Sequence, residues 1–426
     1  MQQLNRVAII GGTRIPFCRS NTAYSQLSNL DMLSDTLQQL VDKCQLKGQK
    51  IDDVIAGAVT THSRDWNLTR EAILSTSLSP ATPGTTLQMA CGTSLQAALL
   101  LAGRIASGQI DTAIAAGTDT TSDAPLVLQP RLSKRILGAS QAKTFSGKLK
   151  SFKGLGLREL TPQAPANGEP RTRLSMGQHC ELMAKEWGIT RQDQDQWAME
   201  SHLKAAAAYE DGFFDSLLRP YHGVARDNNL RADSNLEKLS SLKPVFDRSA
   251  AGTLTAGNST PLTDGAAAVY LTSEAYALKH GLQVQAWLTQ GRTSAVDFVG
   301  GDGLLMAPTV AVSELLSQTS LSLQDFDYYE IHEAFAAQVL CTLKAWESEE
   351  YCRDKLGLTQ ALGAIDRERI NVNGSSLAVG HPFAATGARI LGTLSSLLSA
   401  QKSRRGLISI CTAGGMGAAA ILESPE

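Results

Sequence analysis

What most constrains this chain is a repetition. Thr86 to Asp119 read as a short strand over Leu87-Gln88-Met89-Ala90, a turn at Cys91, an apolar helix from Leu95 to Ser107, and a strand from Thr112 to Ala116 ending at Gly117. Ile370 to Met416 read in the same order: a strand entering Asn373-Gly374, a turn at Gly380-His381-Pro382, a helix from Ala384 to Ala400, and the strand Leu407-Ile408-Ser409-Ile410 ending at Cys411. Upstream, Asp53-Val54-Ile55-Ala56-Gly57 matches Tyr328-Tyr329-Glu330-Ile331-His332. Both helices are apolar round most of their circumference, as expected of helices buried between layers. Two such strand–helix–strand units predict a duplicated α/β domain, each half setting a reactive group at a helix start or strand end.

The chain has 426 residues, enough for two or three domain-sized units. A formal net charge of −2 gives no overall pull towards nucleic acid, so no nucleic-acid partner is expected. The seven cysteines are scattered, without a CxxC pair, which argues against a disulfide framework or a zinc site and for a reducing compartment. Arg6-Val7-Ala8-Ile9-Ile10-Gly11-Gly12 reads as a buried strand with no signal peptide before it, and no apolar run approaches the ~20 residues of a spanning helix. A cytoplasmic protein is expected.

Cys91 sits where a strand gives way to a helix. Backbone N–H groups and the helix dipole favour a thiolate there, which predicts a lowered pKa. The plainer reading is a buried structural cysteine, the usual fate of a free thiol. His381 opens the second helix, where a neutral imidazole is suited to accept the proton of Cys91; otherwise it is a capping or hydrogen-bonded histidine. Cys411 leads into Thr412-Ala413-Gly414-Gly415-Met416-Gly417, whose backbone N–H groups can form an anion-binding nest. A thiolate nucleophile, a histidine base and a second cysteine to shuttle protons are what covalent thioester chemistry requires.

On Cys91-Gly92-Thr93-Ser94, Gly380-His381-Pro382 and the Cys411 to Gly417 run, the chain resembles the thiolase family over nearly its whole length. The resemblance implies an α/β protein with the thiolase-like duplicated α/β/α/β/α layered fold and an inserted loop domain. Its N-terminal half covers 1–120 and is completed by about 250–280. The loop domain, binding CoA, covers 121–249, and the C-terminal half covers 281–426. Within that insertion, Met176 to Trp187 reads as amphipathic, and a helix is predicted from Asp193 to Tyr209 with Thr190 as N-cap. The resemblance assigns catalysis to Cys91, His381, Cys411 and His332. It assigns an oxyanion hole to the backbone N–H groups of Cys91 and Ala413, the latter standing where relatives usually have Gly.

His332-Glu333-Ala334-Phe335 matches a family motif that usually begins with Asn, which holds a water in a second oxyanion hole. The His form resembles the thiolase β-subunits of fatty-acid β-oxidation complexes, as does Ser-Thr-Pro in the Asn258 to Gly265 run. Thr260 takes the place of a pantetheine-contacting Ser, and Met176 and Phe335 are the other expected substrate or CoA contacts. His332-Glu333 has no second ligand at metal spacing, so no metal is expected.

The implied activity is cleavage of 3-ketoacyl-CoA by CoA through an acyl-Cys91 intermediate, with CoA as substrate and no further cofactor. The alternatives are a biosynthetic acetoacetyl-CoA thiolase, a condensing synthase of the same fold, and a non-catalytic acyl-CoA-binding scaffold. A homodimer is expected, with a hydratase/dehydrogenase α-subunit as a further partner. Segment 131–160 carries Arg131, Lys134, Arg135, Lys143, Lys148, Lys150, Lys153 and Arg158 against Glu159, interleaved with apolar side chains. Its readings are a solvated face, a site for the CoA 3′-phosphate, a membrane surface and a partner contact.

Overall fold

The computed structural model describes residues 4–401 and 403–425. Its strands are β1 (Val7–Arg14), β2 (Cys18–Arg19), β3 (Asp53–Ala56), β4 (Gly84–Thr86), β5 (Thr112–Asp119), β6 (Thr263–Ser273), β7 (Ala286–Ala295), β8 (Tyr328–Ile331), β9 (Arg405–Thr412) and β10 (Met416–Glu423). They pair in the order β4-β3-β5-β6-β1-β7-β10-β9-β8, with β2 beside β6. The order is palindromic in kind. Strand β3 runs parallel to β5 as β8 does to β9, and β5–β6–β1 and β9–β10–β7 are antiparallel. The halves meet through the short β1–β7 pairing, Ala8 with Trp287 and Ile9 with Ala286.

Side chains of the strands alternate between two apolar clusters, as the two-residue strand period requires. In β5, Ala113 and Ala115 enter a central cluster while Ile114 and Ala116 enter an outer one. In β10, Ala418, Ala420 and Leu422 join the same central cluster while Ala419 and Ile421 enter the opposite outer one. A strand buried on both faces needs apolar residues throughout, which is why these strands read as continuous small-apolar runs.

The central cluster is filled by the two helices of the repeat, Thr93–Ala106 and Thr386–Gln401. They approach so closely that a Cβ on Gly387 would overlap the backbone nitrogen of Leu95. Ser94 Oγ fastens the crossing, donating to the Ala384 carbonyl (2.5 Å) and accepting from the Ala388 N–H (2.8 Å). Outer helices Asn29–Lys43 and Leu68–Leu74 cover one end of the sheet, and Ala307–Ser317 and Ala336–Glu347 the other.

Several boundaries differ from the sequence reading. The first repeat's strand is Gly84–Thr86 rather than Leu87–Ala90. Leu87 still donates to the Ala56 carbonyl, but Met89 turns away because its N–H is taken by Thr93 Oγ1. At Ile370 there is only a single bridge, to Tyr329. Cys411 does not end the last strand, since Gly414 and Gly415, with φ of 78° and 69°, form a tight turn into β10.

The chain divides into two compact units, 123–167 and the remainder. The insertion expected over 121–249 is therefore narrower as a separate body. Its later helices, Met176–Glu186 and Arg191–Glu210, bury Cys180, Met183, Trp197 and Ala198 in the cluster shared with Leu340 and Phe335. Thr190 caps the second of them, accepting from the Asp193 N–H. The small unit holds helices Pro130–Gln141 and Phe145–Ser151, joined by Arg135 donating to the Ser151 and Lys153 carbonyls. Among the described residues no helix is long and apolar enough to cross a membrane.

Candidate active site

Cys91 lies in a single 3-10 turn, Ala90–Gly92, between β4 and the helix Thr93–Ala106. Ala90 is held at φ 45°, a left-handed conformation costly for any residue but Gly. Thr93 Oγ1 over-determines the turn by donating to the Ala90 carbonyl (2.7 Å) while accepting from Met89. The result presents the Cys91 thiol at the helix start.

His381 reaches it from the second repeat, with Nε2 3.1 Å from Cys91 Sγ. Its other ring nitrogen is 2.6 Å from Thr386 Oγ1, and its backbone N–H donates to Thr263 Oγ1. For Nε2 to accept the thiol proton, Nδ1 must carry the ring proton and donate it to Thr386. The His332 ring stands 4.2 Å from the His381 ring, centroid to centroid.

Cys411, in register with Gly417 across the β9–β10 hairpin, is close enough to Cys91 that the two thiolates would repel. The backbone N–H groups of Ala413 and of Cys91 itself face the Cys91 sulfur. These four side chains and two N–H groups come from segments far apart in sequence and converge at one point of the fold. All four side chains are buried.

Burial sets their charge. It pushes the Cys91 thiol up to about 12, with Asp119 adding repulsion; the Ala413 and Cys91 N–H groups pull the other way and lose. The lowered pKa expected from the helix start is therefore reversed, because desolvation of a buried thiolate outweighs two backbone donors. Burial, then Arg389, brings His381 down to about 3. Burial and Cys91 raise Cys411 well above an ordinary thiol. The free site is a neutral thiol hydrogen-bonded to a neutral imidazole, an arrangement in which a Cys91 thiolate can form by proton transfer to His381.

The other expected contacts are placed as follows. Phe335 precedes the helix Ala336–Glu347 and packs edge-on to Phe246 (5.7 Å). Met176 begins its own helix and, like Phe335, belongs to the apolar cluster that includes Cys411. Thr260 is tied to the Ala334 carbonyl through both its N–H and its hydroxyl, each at 3.1 Å. Asn258 is structural, donating to Asp195 and to the Thr253 carbonyl while accepting from the Thr255 N–H.

Sequence reasoning missed the supporting residues. Thr386 and Thr263 hold His381. Buried Glu333 accepts from Trp197, Ser201, Asn371 and the Leu377 N–H, locking the backbone beside His332. Buried Asp119 accepts from Val59, Thr60 and the Ala384 N–H at the start of the second repeat's helix. Only Thr386, one turn beyond His381, had a local signal; the others act across the fold. The metal reading also changes its basis. The sequence offers His332 no second ligand nearby, but the fold brings Cys91 and His381 to it, with one ligand atom from each residue within 4.8 Å of the others. Their closeness alone does not make a cation site, since two of the three atoms already bond each other.

The thiolase N-terminal domain model matches residues 7–275 and the thiolase C-terminal domain model residues 282–424. The chain belongs to the thiolase family. It is 40% identical over 428 aligned residues to the 3-ketoacyl-CoA thiolase of Yersinia enterocolitica, covering 99% of this chain and 98% of the relative. The Yersinia pestis 3-ketoacyl-CoA thiolase matches equally. Among solved structures, the Bacillus anthracis acetyl-CoA acetyltransferase superposes with a TM-score of 0.82 at 28% identity over the full length of both chains. Human mitochondrial 3-ketoacyl-CoA thiolase does so with 0.81 at 25% identity, over 99% of each. The α/β fold with a duplicated strand–helix–strand plan is the thiolase fold.

Proposed function

We propose that this thiolase cleaves 3-ketoacyl-CoA with CoA to acetyl-CoA and an acyl-CoA two carbons shorter, in fatty-acid β-oxidation. The observation that carries the reading is the 3.1 Å Cys91–His381 contact with Cys411 beside it. His381 Nε2 takes the Cys91 proton, and the thiolate attacks the keto carbon. The resulting alkoxide meets the Cys91 and Ala413 N–H groups. The bond between the α and keto carbons then breaks, its electrons passing to the α carbon as an acetyl-CoA enolate, which the Cys411 thiol protonates. In the second half, Cys411 takes the thiol proton of an incoming CoA. The CoA thiolate displaces Cys91 from the acyl group, and His381 returns its proton to Cys91. No cofactor beyond CoA as substrate is invoked.

Steady-state cleavage rates on 3-ketoacyl-CoAs of increasing chain length test this reading. Efficient cleavage beyond the four-carbon substrate is expected; activity confined to acetoacetyl-CoA would favour the biosynthetic alternative.

The same reading includes a cytoplasmic homodimer that works with a hydratase/dehydrogenase α-subunit, and an interaction role for 131–160. Seven free thiols suit a reducing compartment. β4 ends the sheet path, and beside it Trp66 is 95% exposed, which offers a surface for a second copy. In the small unit, Leu137, Phe145, Leu149 and Leu157 are exposed among the basic residues. Such a surface suits an anionic membrane or an acidic partner better than bulk water.

A further inference from the structure

His332 stands out in the site because half of its ring is fully engaged and half is not. Its Nδ1 is 2.8 Å from Ser376 Oγ, and its backbone N–H donates to the Ser409 carbonyl. Its Nε2 is buried and bonds to nothing within the described residues. Behind Ser376 stands Arg389, also buried, which donates to Ser376 Oγ (2.7 Å) and to Ser375 Oγ (3.2 Å from both terminal nitrogens). Glu330 lies 3.7 Å from Arg389, and within the described residues neither of its oxygens is hydrogen-bonded; burial pushes its carboxyl up to about 8, so it neither fixes the guanidinium's geometry nor supplies a full countercharge at neutral pH.

This row has a direction. A guanidinium only donates. Ser376 therefore accepts from Arg389, and among the described residues the acceptor placed for its own proton is His332 Nδ1. A neutral ring that accepts at Nδ1 carries its proton on Nε2. The reverse arrangement would make Ser376 accept twice and leave a buried hydroxyl proton unpaired. The ring stays neutral because burial, His381 and Arg389 all resist a second proton. Arg389 itself, lowered by burial to about 10, remains charged at neutral pH.

We propose that Arg389 and Ser376 are positioning residues that lock His332 in its Nε2–H tautomer, so that an imidazole N–H faces the reacting centre beside Cys91 and His381. That N–H is a direct donor for the thioester oxygen of the acetyl-CoA enolate. The other tautomer would present a lone pair to a developing negative charge and repel it. Fixing a tautomer through a buried neighbour is a general means of holding an imidazole ready for its role. The kinetic half of the proposal rests on the thiolase reading; the tautomer does not.

The test is nitrogen NMR of the full-length protein labelled at histidine, with the His332 signals assigned by their loss in His332→Asn. The wild-type ring should carry its proton on Nε2. Ser376→Ala should move the ring towards the Nδ1–H form and lower kcat for 3-ketoacyl-CoA cleavage by roughly 10–10²-fold with little change in KM. Ser376→Thr, which keeps the hydroxyl, should restore both. Arg389→Lys, which keeps a charged donor, should stay nearer the wild-type tautomer than Arg389→Met. A proton on Nδ1 in the wild type, or an unchanged tautomer in Ser376→Ala, overturns the proposal. A protein that fails to cleave 3-ketoacyl-CoA yet holds the proton on Nε2 refutes the substrate reading and supports this one.

Discussion

At the residue scale the site is governed by burial more than by the helix dipole. A thiol raised to about 12 beside an imidazole lowered to about 3 stays neutral across the physiological range. The thiolate fraction of Cys91 therefore keeps rising with pH throughout the experimental window. Alkylation of Cys91 by iodoacetamide, followed by peptide mass spectrometry, should accelerate steadily from pH 6 to 9; a plateau below pH 7 would mean a preformed thiolate–imidazolium pair. Cys411 tests the division of labour between the thiols. Cys411→Ser should still accept an acyl group on Cys91 from acyl-CoA but lose about 10²-fold or more in cleavage, because a serine hydroxyl is too weak an acid to exchange protons with the enolate or CoA. Near-normal cleavage by this variant would remove the proton-shuttle role.

At the scale of elements, the crossing of the two repeat helices joins Cys91 to His381. A Gly→Ala change inside a helix ordinarily stabilises by about 0.5–1 kcal/mol. At Gly387 the overlap with Leu95 backbone should outweigh that gain, since overpacking costs about 1–3 kcal/mol or more. Gly387→Ala is expected to lower Tm and slow cleavage, whereas Gly103→Ala, with open space around its Cβ position, should not destabilise. Thermal melts of the two variants check this; an unaltered Tm in Gly387→Ala would mean that the helices can part without loss. These helices were legible in the sequence because each is a long apolar run with its reactive residue at the start. The short strands were not. Leu87 to Ala90 has strand composition, but its backbone is diverted by Thr93 and by the left-handed turn at Ala90, which no periodicity reveals. Cys91, His381 and Cys411 were legible because each lies in a short motif. Ser376, Arg389 and Asp119 were not, because their partners lie in other segments of the fold. The Cys91 pKa runs against its helix-start position for a related reason: the sequence places the thiol at a helix start but does not say how deeply the surrounding layers bury it.

At the scale of the whole molecule, one duplicated plan brings Cys91 from its first copy against His381 and Cys411 from its second. Neither half holds all three. The small 123–167 unit carries a different kind of information, in exposed charge and apolar surface rather than in buried chemistry. Reversing Lys148, Lys150 and Lys153, all exposed, to Glu should weaken binding to anionic vesicles or to an α-subunit, an effect that fades as salt rises. Tm and the KM for CoA should hardly change. Unaltered association together with a raised KM for CoA would instead make the segment a CoA-phosphate site.

The most direct measurement is the covalent intermediate itself. The enzyme is mixed with a 3-ketoacyl-CoA in the absence of free CoA, quenched in acid, and analysed by intact mass and peptide mapping. One acyl group, two carbons shorter than the substrate's chain, is expected on Cys91 and should be discharged as acyl-CoA when CoA is added. An acyl group on Cys411, or turnover with no acylated cysteine at any time, would contradict the acyl-Cys91 intermediate.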